Sequence, residues 1–397
     1  MRQALIPGAG LRSELSGAVA AVGVLVPIAV ALIVKNGLSP TAVLLPAGLL
    51  YVAVAIVYRL PVAVQPLKAV GAIAIAQGLG SDEIAAAALL MGAVFVVLGA
   101  TGLIDHLGRA FPRALIRGVQ LTVGLLFVKV AWGLVDDPPS SFEDHAVDPA
   151  LAVPLAAAVV AIALVFRRRS VALLLVAVGV GIMLVDAGGA VALGPSAIEV
   201  PSLSTATFVA AFTALVIPQL PLTFANSCLA PADAARTYFG DRAHRITPGR
   251  LAMTLGSANV LSGAISGMPV CHGAGGLTAH YAFGARTAVA PLAMGSSLIA
   301  LALVVGSGLA VLLVAFPLPV LAGLLATAGL LHIGLLRDLV GPREWAIAVA
   351  VGVIGFELNL AVGLAVGLVV WWAPVLLGRI GSSSWVSRSF LRSEKQS

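Results

Sequence analysis

The chain has 397 residues, of which 60% are hydrophobic and only 10% charged, with a formal net charge of +6 and a mean hydropathy of +1.08. A soluble domain carries roughly 25% charged residues, so composition excludes a water-soluble enzyme or binding module and defines an integral membrane protein. The pI of about 9.8 comes from basic residues in loops between apolar runs, which points to orientation in a bilayer and not to nucleic acid.

Apolar runs of about 20 residues, enough to cross a bilayer, recur from end to end. In the first half the predicted spans lie near 14–34, 40–58, 61–78, 84–104, 114–135, 150–166 and 170–188. In the second half they lie near 205–229, 250–265, 267–284, 288–312, 318–335, 345–357 and 360–378. Leu15–Val34 reads as a span and not as a cleavable signal, because no small-residue cleavage site follows it. The longest polar loops, 136–149 and 230–250, are too short to fold alone.

Alternate loops divide the charge. Arg59, Arg109, Arg113, Arg117, Arg167, Arg168 and Arg169 fall on one side, with Arg236, Arg242, Arg245, Arg250, Arg286, Arg337, Arg343 and Arg379. The opposite side holds Lys35 and the acidic loop Asp136–Asp144; of the 23 Lys and Arg, only Lys35, Lys68 and Lys129 lie off the basic side. The positive-inside rule then puts both termini in the cytoplasm. Seven spans per half is an odd number, so the second half enters inverted. The expected fold is all-α and integral to the membrane, with about 14 segments in two inverted repeats, 12–195 and 202–380, and a cytoplasmic tail at 381–397. The Ala- and Gly-rich composition and short loops suit a bacterial inner membrane. A homodimer is an expectation that no motif specifies.

The third span of each half is interrupted. Pro61-Val-Ala-Val-Gln65-Pro66-Leu-Lys68 and Ser266-Gly-Met-Pro269-Val-Cys271-His272-Gly-Ala-Gly-Gly276 each combine helix-disfavouring prolines with a short run able to extend. The spacing predicts a few extended residues, then helices starting near Pro66 and near Gly273. Two helix starts would face each other inside the membrane, each with roughly half a positive charge and up to four free N–H donors. An oxyanion suits that geometry. Lys68 reads either as its counter-charge or as a snorkelling side chain; Gln65 and Gln219 are neutral donors. Gly273, Gly275 and Gly276 serve either close approach to a ligand or helix packing. His272 is either a hydrogen-bonded core histidine or a ligand, and Cys271 reads as a small buried hydrophobe. Glu357 is either a buried pairing residue or a proton-coupling group. No Asp or Glu occurs from Pro201 to Ala232 or from Leu251 to Leu292, where a cation carrier would want one. Cys271-His272 has no second ligand cluster and so is no metal site. No phosphate-binding Gly-rich loop appears, which argues against direct use of ATP. No cofactor is implied.

At these residues the chain resembles the molybdate transporter family, a branch of the sulfate permease-like anion transporters. The resemblance rests on Pro61–Ala69, on Gly267–Arg286 and on Pro218-Gln219-Leu-Pro221-Leu-Thr-Phe-Ala-Asn226-Ser. Leu67 departs from the family, where methionine is common. The resemblance implies a core domain moving against a gate domain, short strands before the third and tenth segments, and molybdate as substrate. It implies binding by Gln65, Pro66, Lys68 and Ala69, by Cys271, His272, Gly273, Ala274, Gly275 and Gly276, and by Gln219 and Asn226. A sulfate carrier and an anion channel are the rival readings. An intramembrane enzyme is not expected, since Cys271 and His272 are adjacent and would not face each other as nucleophile and base.

Overall fold

Residues 10–18, 22–104, 112–138, 142, 147–166, 171–186 and 192–374 are described by a computed structural model. The tail 381–397, Arg109, Arg167, Arg168, Arg169 and Arg379 lie outside the described residues. In lipid every backbone polar group must be satisfied within the chain, and the apolar runs accordingly become helices. In the first half these are α1 (Leu11–Ala18), α2 (Val22–Val34), α3 (Pro40–Val57), α4 (Lys68–Gln77), α5 (Ser81–Thr101), α6 (Arg113–Asp136), α7 (Pro149–Val165) and α8 (Val171–Asp186). The second half contributes α9 (Thr205–Arg245), α10 (Pro248–Ala264), α11 (Ala274–Ala282), α12 (Val289–Val304), α13 (Gly306–Val314), α14 (Leu318–Ile333), α15 (Pro342–Glu357) and α16 (Leu360–Pro374). Strands β1 (Val64–Pro66) and β2 (Val270–His272) precede α4 and α11.

Among the described residues five helices are long and apolar enough to cross a membrane, and α12 with α13, bent by 89°, makes a sixth. Others, α4 and α7 among them, are apolar but of 10–17 residues. Three expectations need correction. The run expected to span 288–312 breaks at Val305. The segment expected as a polar loop over 230–250 instead continues α9 to Arg245, because Ala230–Phe239 is Ala-rich and buries Pro231, Ala232, Ala235 and Phe239 on one face. Glu357 is exposed at the end of α15, so it is not a buried pairing residue. Lys129 is exposed too, its ammonium 5.6 Å from the Phe356 ring centroid.

Without a hydrophobic drive between helices in lipid, close backbone approach decides packing, and small residues permit it. α5 lies along α10, α3 along α12, and α6 along α14. Each pair meets at glycine: Gly92 on Gly256, Gly48 on Gly295, Gly124 on Gly329. A Cβ on any of the six would fall 2.5–3.0 Å from the facing glycine's carbonyl oxygen. The segment between the halves is pinned to one end of α3, where Thr41 N donates to Ser196 Oγ at 2.9 Å and Ser196 N returns a bond to Thr41 Oγ1 at 2.8 Å.

Candidate functional site

The chain leaves α3 and α10 in the same way. Arg59 (φ 58°) and Ser266 (φ 49°) turn left-handed just past the helix ends, a conformation that costs a non-glycine residue about 1–2 kcal/mol. Pro61 and Pro269 then keep the backbone extended into two three-residue strands. The strands pair antiparallel, with Val64 opposite His272, Gln65 opposite Cys271 and Pro66 opposite Val270. Leu67 N donates to Pro269 O at 2.9 Å. Pro66 thus ends the strand and does not open the helix, and the helices begin at Lys68 and Ala274, a little later than the sequence predicts. Helix can start only after the chain has left the ladder, and Leu67 still bonds across it.

The two helix starts differ. That of α4 is closed by Gln219 of α9, whose Oε1 accepts from Ala69 N at 2.9 Å and from Val70 N at 3.3 Å. Its Nε2 donates to Thr223 Oγ1 at 3.0 Å. Gln219, expected to donate to a ligand, instead caps a helix with its oxygen and has its amide nitrogen engaged nearby. The wide π-helical turns Phe212–Val216 and Thr223–Leu229 flank this stretch of α9; Asn226 lies half-buried in the second.

At the start of α11 the N-cap Gly273 offers no side chain, and among the described residues none bonds its first amides as Gln219 does those of α4. Gln65 reaches across from β1 to the α11 start: a Cβ at Gly273 would overlap Gln65 Oε1, and one at Gly276 would come within 2.8 Å of Gln65 Nε2. Gln65 Oε1 accepts from Lys68 Nζ at 2.9 Å, which places the ammonium beside this second helix start. Glycine is required here for close approach, not for its dihedral range. Gly275 is exposed, Ala274 and Lys68 are half-buried, and the strands around them are buried. Non-helical backbone at membrane depth is tolerated only against protein or water. The turn at Gly275 is thus exposed, with the Lys68 ammonium and the Gln65 amide on the neighbouring strand and helix start.

His272 points away from this turn. Its Nδ1 bonds to Ala63 O at 3.2 Å, and because a carbonyl only accepts, Nδ1 carries the proton. Nε2 then accepts from Thr254 Oγ1 at 2.8 Å. The ring also packs edge-on to Tyr58, with centroids 6.0 Å apart. His272 is a satisfied core histidine; the ligand reading of its side chain is corrected. Cys271 is buried, its thiol donating to Pro66 O at 3.5 Å. Among the described residues no three His, Cys, Asp or Glu gather as for a metal ion.

One residue at the site escaped sequence reasoning. His332 of α14 lies within electrostatic range of the Lys68 ammonium. His332 Nδ1 bonds to Ala328 O at 2.8 Å, and its ring meets Phe127 of α6 at 6.1 Å. It belongs to no motif and is one histidine in the last turn of an apolar run, so nothing in the sequence connects it with Lys68, 264 positions earlier.

Paired strands, broken helices and a cationic, amide-lined opening in an apolar bundle define a membrane anion transporter. The fold matches the transmembrane domain of the cyanobacterium bicarbonate transporter BicA, with TM-score 0.64 and 18% identity over 92% of this chain and 98% of that one. It also matches the murine Slc26a9 anion transporter in its inward-facing state, with TM-score 0.67 and 13% identity over 94% of this chain and 69% of that one. A family described as "Molybdate transporter of MFS superfamily" matches residues 13–127 and 211–331. Molybdate transporter 1 of Arabidopsis thaliana is 28% identical over 91% of this chain and 88% of its own length. Molybdate transporter 1 of Chlamydomonas reinhardtii is 27% identical over 90% of each chain. The chain belongs to the molybdate transporter family. Although the family's description cites the MFS superfamily, solved structures that share this fold include BicA and Slc26a9.

Proposed function

We propose that the protein carries molybdate across a bacterial inner membrane by alternating access. The observation that carries this reading is the asymmetry of the two helix starts: Gln219 closes that of α4, whereas that of α11 stays open beside Lys68 and Gln65. A tetrahedral dianion would accept from the amides of Ala274, Gly275 and Gly276 and from Gln65 Nε2. Lys68 would balance one of its charges. Anions are favoured at helix N-termini by the free N–H groups and the dipole together. Pro66, Ala69, Cys271 and Gly273 would shape the strand crossing, and Asn226 would border it. His332 would meet the ion from the opposing helix.

The moving part would be a core that holds both strands, α4 and α11. It would rock against a gate containing α6, α14 and α15. The chain would form fourteen segments in two inverted repeats, 12–195 and 202–380. An inverted repeat would exchange α5–α10 with α12–α3 and return α6–α14 to itself, and the glycine-on-glycine contacts of those three pairs support this reading. Both termini would be cytoplasmic, with two copies forming a dimer and protons driving uptake. The test is uptake of radiolabelled molybdate into proteoliposomes, with sulfate and tungstate as competitors. Uptake that sulfate abolishes and molybdate leaves unaffected would replace the substrate, and single-channel current would replace the carrier mechanism.

A further inference from the structure

Behind the strand crossing lie three buried polar groups that transport, as described so far, does not use. His280, in the last turn of α11, is fully buried; its Nδ1 donates to Gly17 O of α1 at 2.6 Å, while Nε2 has no partner. Tyr51 of α3 is fully buried, its ring edge-on to His280 at 6.2 Å; its hydroxyl lies against the Val64 backbone but makes no hydrogen bond of normal geometry. Glu14 of α1 is 3% exposed; its Oε1 accepts from Arg286 N at 3.0 Å, and its Oε2 is unpartnered.

Buried donors and acceptors are nearly always paired, so three orphans on adjoining elements need an explanation. Among the described residues the Glu14 carboxylate makes no ion pair. The Arg286 guanidinium stacks 3.7 Å from the Tyr281 ring centroid and donates to the Tyr281 and Ala285 carbonyls instead. From α9, Tyr238 stacks on Tyr281 and shares a hydrogen bond with Thr278, while the Arg242 guanidinium donates to Arg286 O at 3.0 Å and so holds the same backbone that bonds Glu14. What the cluster lacks is one proton. With Nδ1–H fixed by Gly17, the free lone pair of Nε2 is its acceptor.

We propose that Glu14, His280 and Tyr51 form a proton-binding site that couples proton uptake to anion binding at the start of α11. The inference rests on the anion site proposed above. A proton from water adds to the Nε2 lone pair and gives an imidazolium, which Glu14 neutralises from α1. A cation in the last turn of a helix is favoured by the dipole. His280 lies six residues from Ala274, about 9 Å along the helix axis. At an effective dielectric of about 20, a charge at that range draws a dianion about ten- to hundredfold more tightly. Linkage makes the effect reciprocal, so a bound dianion raises the proton affinity of His280 equally. Glu14, beside Arg286 and the basic end of α9, is the release route.

The test measures molybdate affinity of the purified protein from pH 5 to 8, together with uptake into proteoliposomes with and without a pH gradient. The wild type should bind about tenfold or more tightly at the acid end. His280→Asn, whose amide can still donate to Gly17 O, should bind with a flat pH profile and exchange labelled molybdate without responding to the gradient. Glu14→Gln, which keeps an oxygen for Arg286 N, should move the transition to lower pH. A profile unchanged in His280→Asn overturns the proposal, as does a flat wild-type profile. If His280→Asn does not fold, an unchanged profile in Glu14→Gln overturns it. A wild type that binds no molybdate at any pH sinks the substrate reading first, and this inference with it.

Discussion

Gly275 offers the sharpest test of where the anion binds. A Cβ built there meets nothing within 4 Å, unlike those at Gly273 and Gly276. A side chain would therefore enter the open space and not the protein. Along a helix each Cα–Cβ bond tilts toward the N-terminus, which at the second residue of α11 directs it at the proposed ion. Gly275→Val should leave folding unharmed, since valine is no worse than glycine in a helix by the propensity scale. It should displace an anion from at least one amide. A hydrogen bond to a charged group contributes about 1.5–3 kcal/mol, so affinity should fall about 10- to 150-fold at 1.4 kcal/mol per decade. The assay pairs thermal unfolding in detergent with molybdate binding and uptake. Wild-type affinity in a well-folded Gly275→Val protein would refute the argument, because no dianion could then be seated on those amides.

Lys68→Glu should abolish uptake while leaving expression intact, measured by uptake against protein in the membrane fraction; retained uptake would remove the counter-charge. Gln219→Leu strips the cap from α4 and leaves two buried N–H groups unpaired, at about 1–3 kcal/mol each. It should lower the unfolding temperature more than it weakens anion binding, whereas a variant impaired in binding alone would make Gln219 a ligand. Asp338, exposed at the very end of the apolar segment Leu318–Asp338, is held below its ordinary 3.8 chiefly by the hydrogen bond from Arg117. A carboxyl with a lowered folded-state pKa stabilises above its unfolded value and loses that contribution as pH falls through the folded one. The pair is partly solvated, so Asp338→Asn should lower stability by no more than about 1 kcal/mol near neutral pH. The difference should close below about pH 4; one that persists at pH 2.5 would refute the ion-pair account.

The sequence by itself determined the solvent and the breaks. An apolar chain of this length has to satisfy its backbone internally, so composition alone dictated helices. Pro61, Pro66 and Pro269 dictated where two of them are interrupted. Those are local facts of dihedral angle and missing N–H groups, readable without any neighbour. Tertiary structure decided which side chains answer the breaks. His272 read equally as a ligand and as a core histidine, and strand register turned it toward Ala63 and Thr254. Gln219 looked like a donor to the substrate, and packing of α9 against α4 made it a cap. His280, Tyr51 and Glu14 come from three separate helices, and nothing in any one of those segments marks its buried polar atoms as unpaired. Pairing is a property of the assembled interior, because a hydrogen bond depends on the direction and distance of both partners, and a linear sequence specifies neither across hundreds of residues.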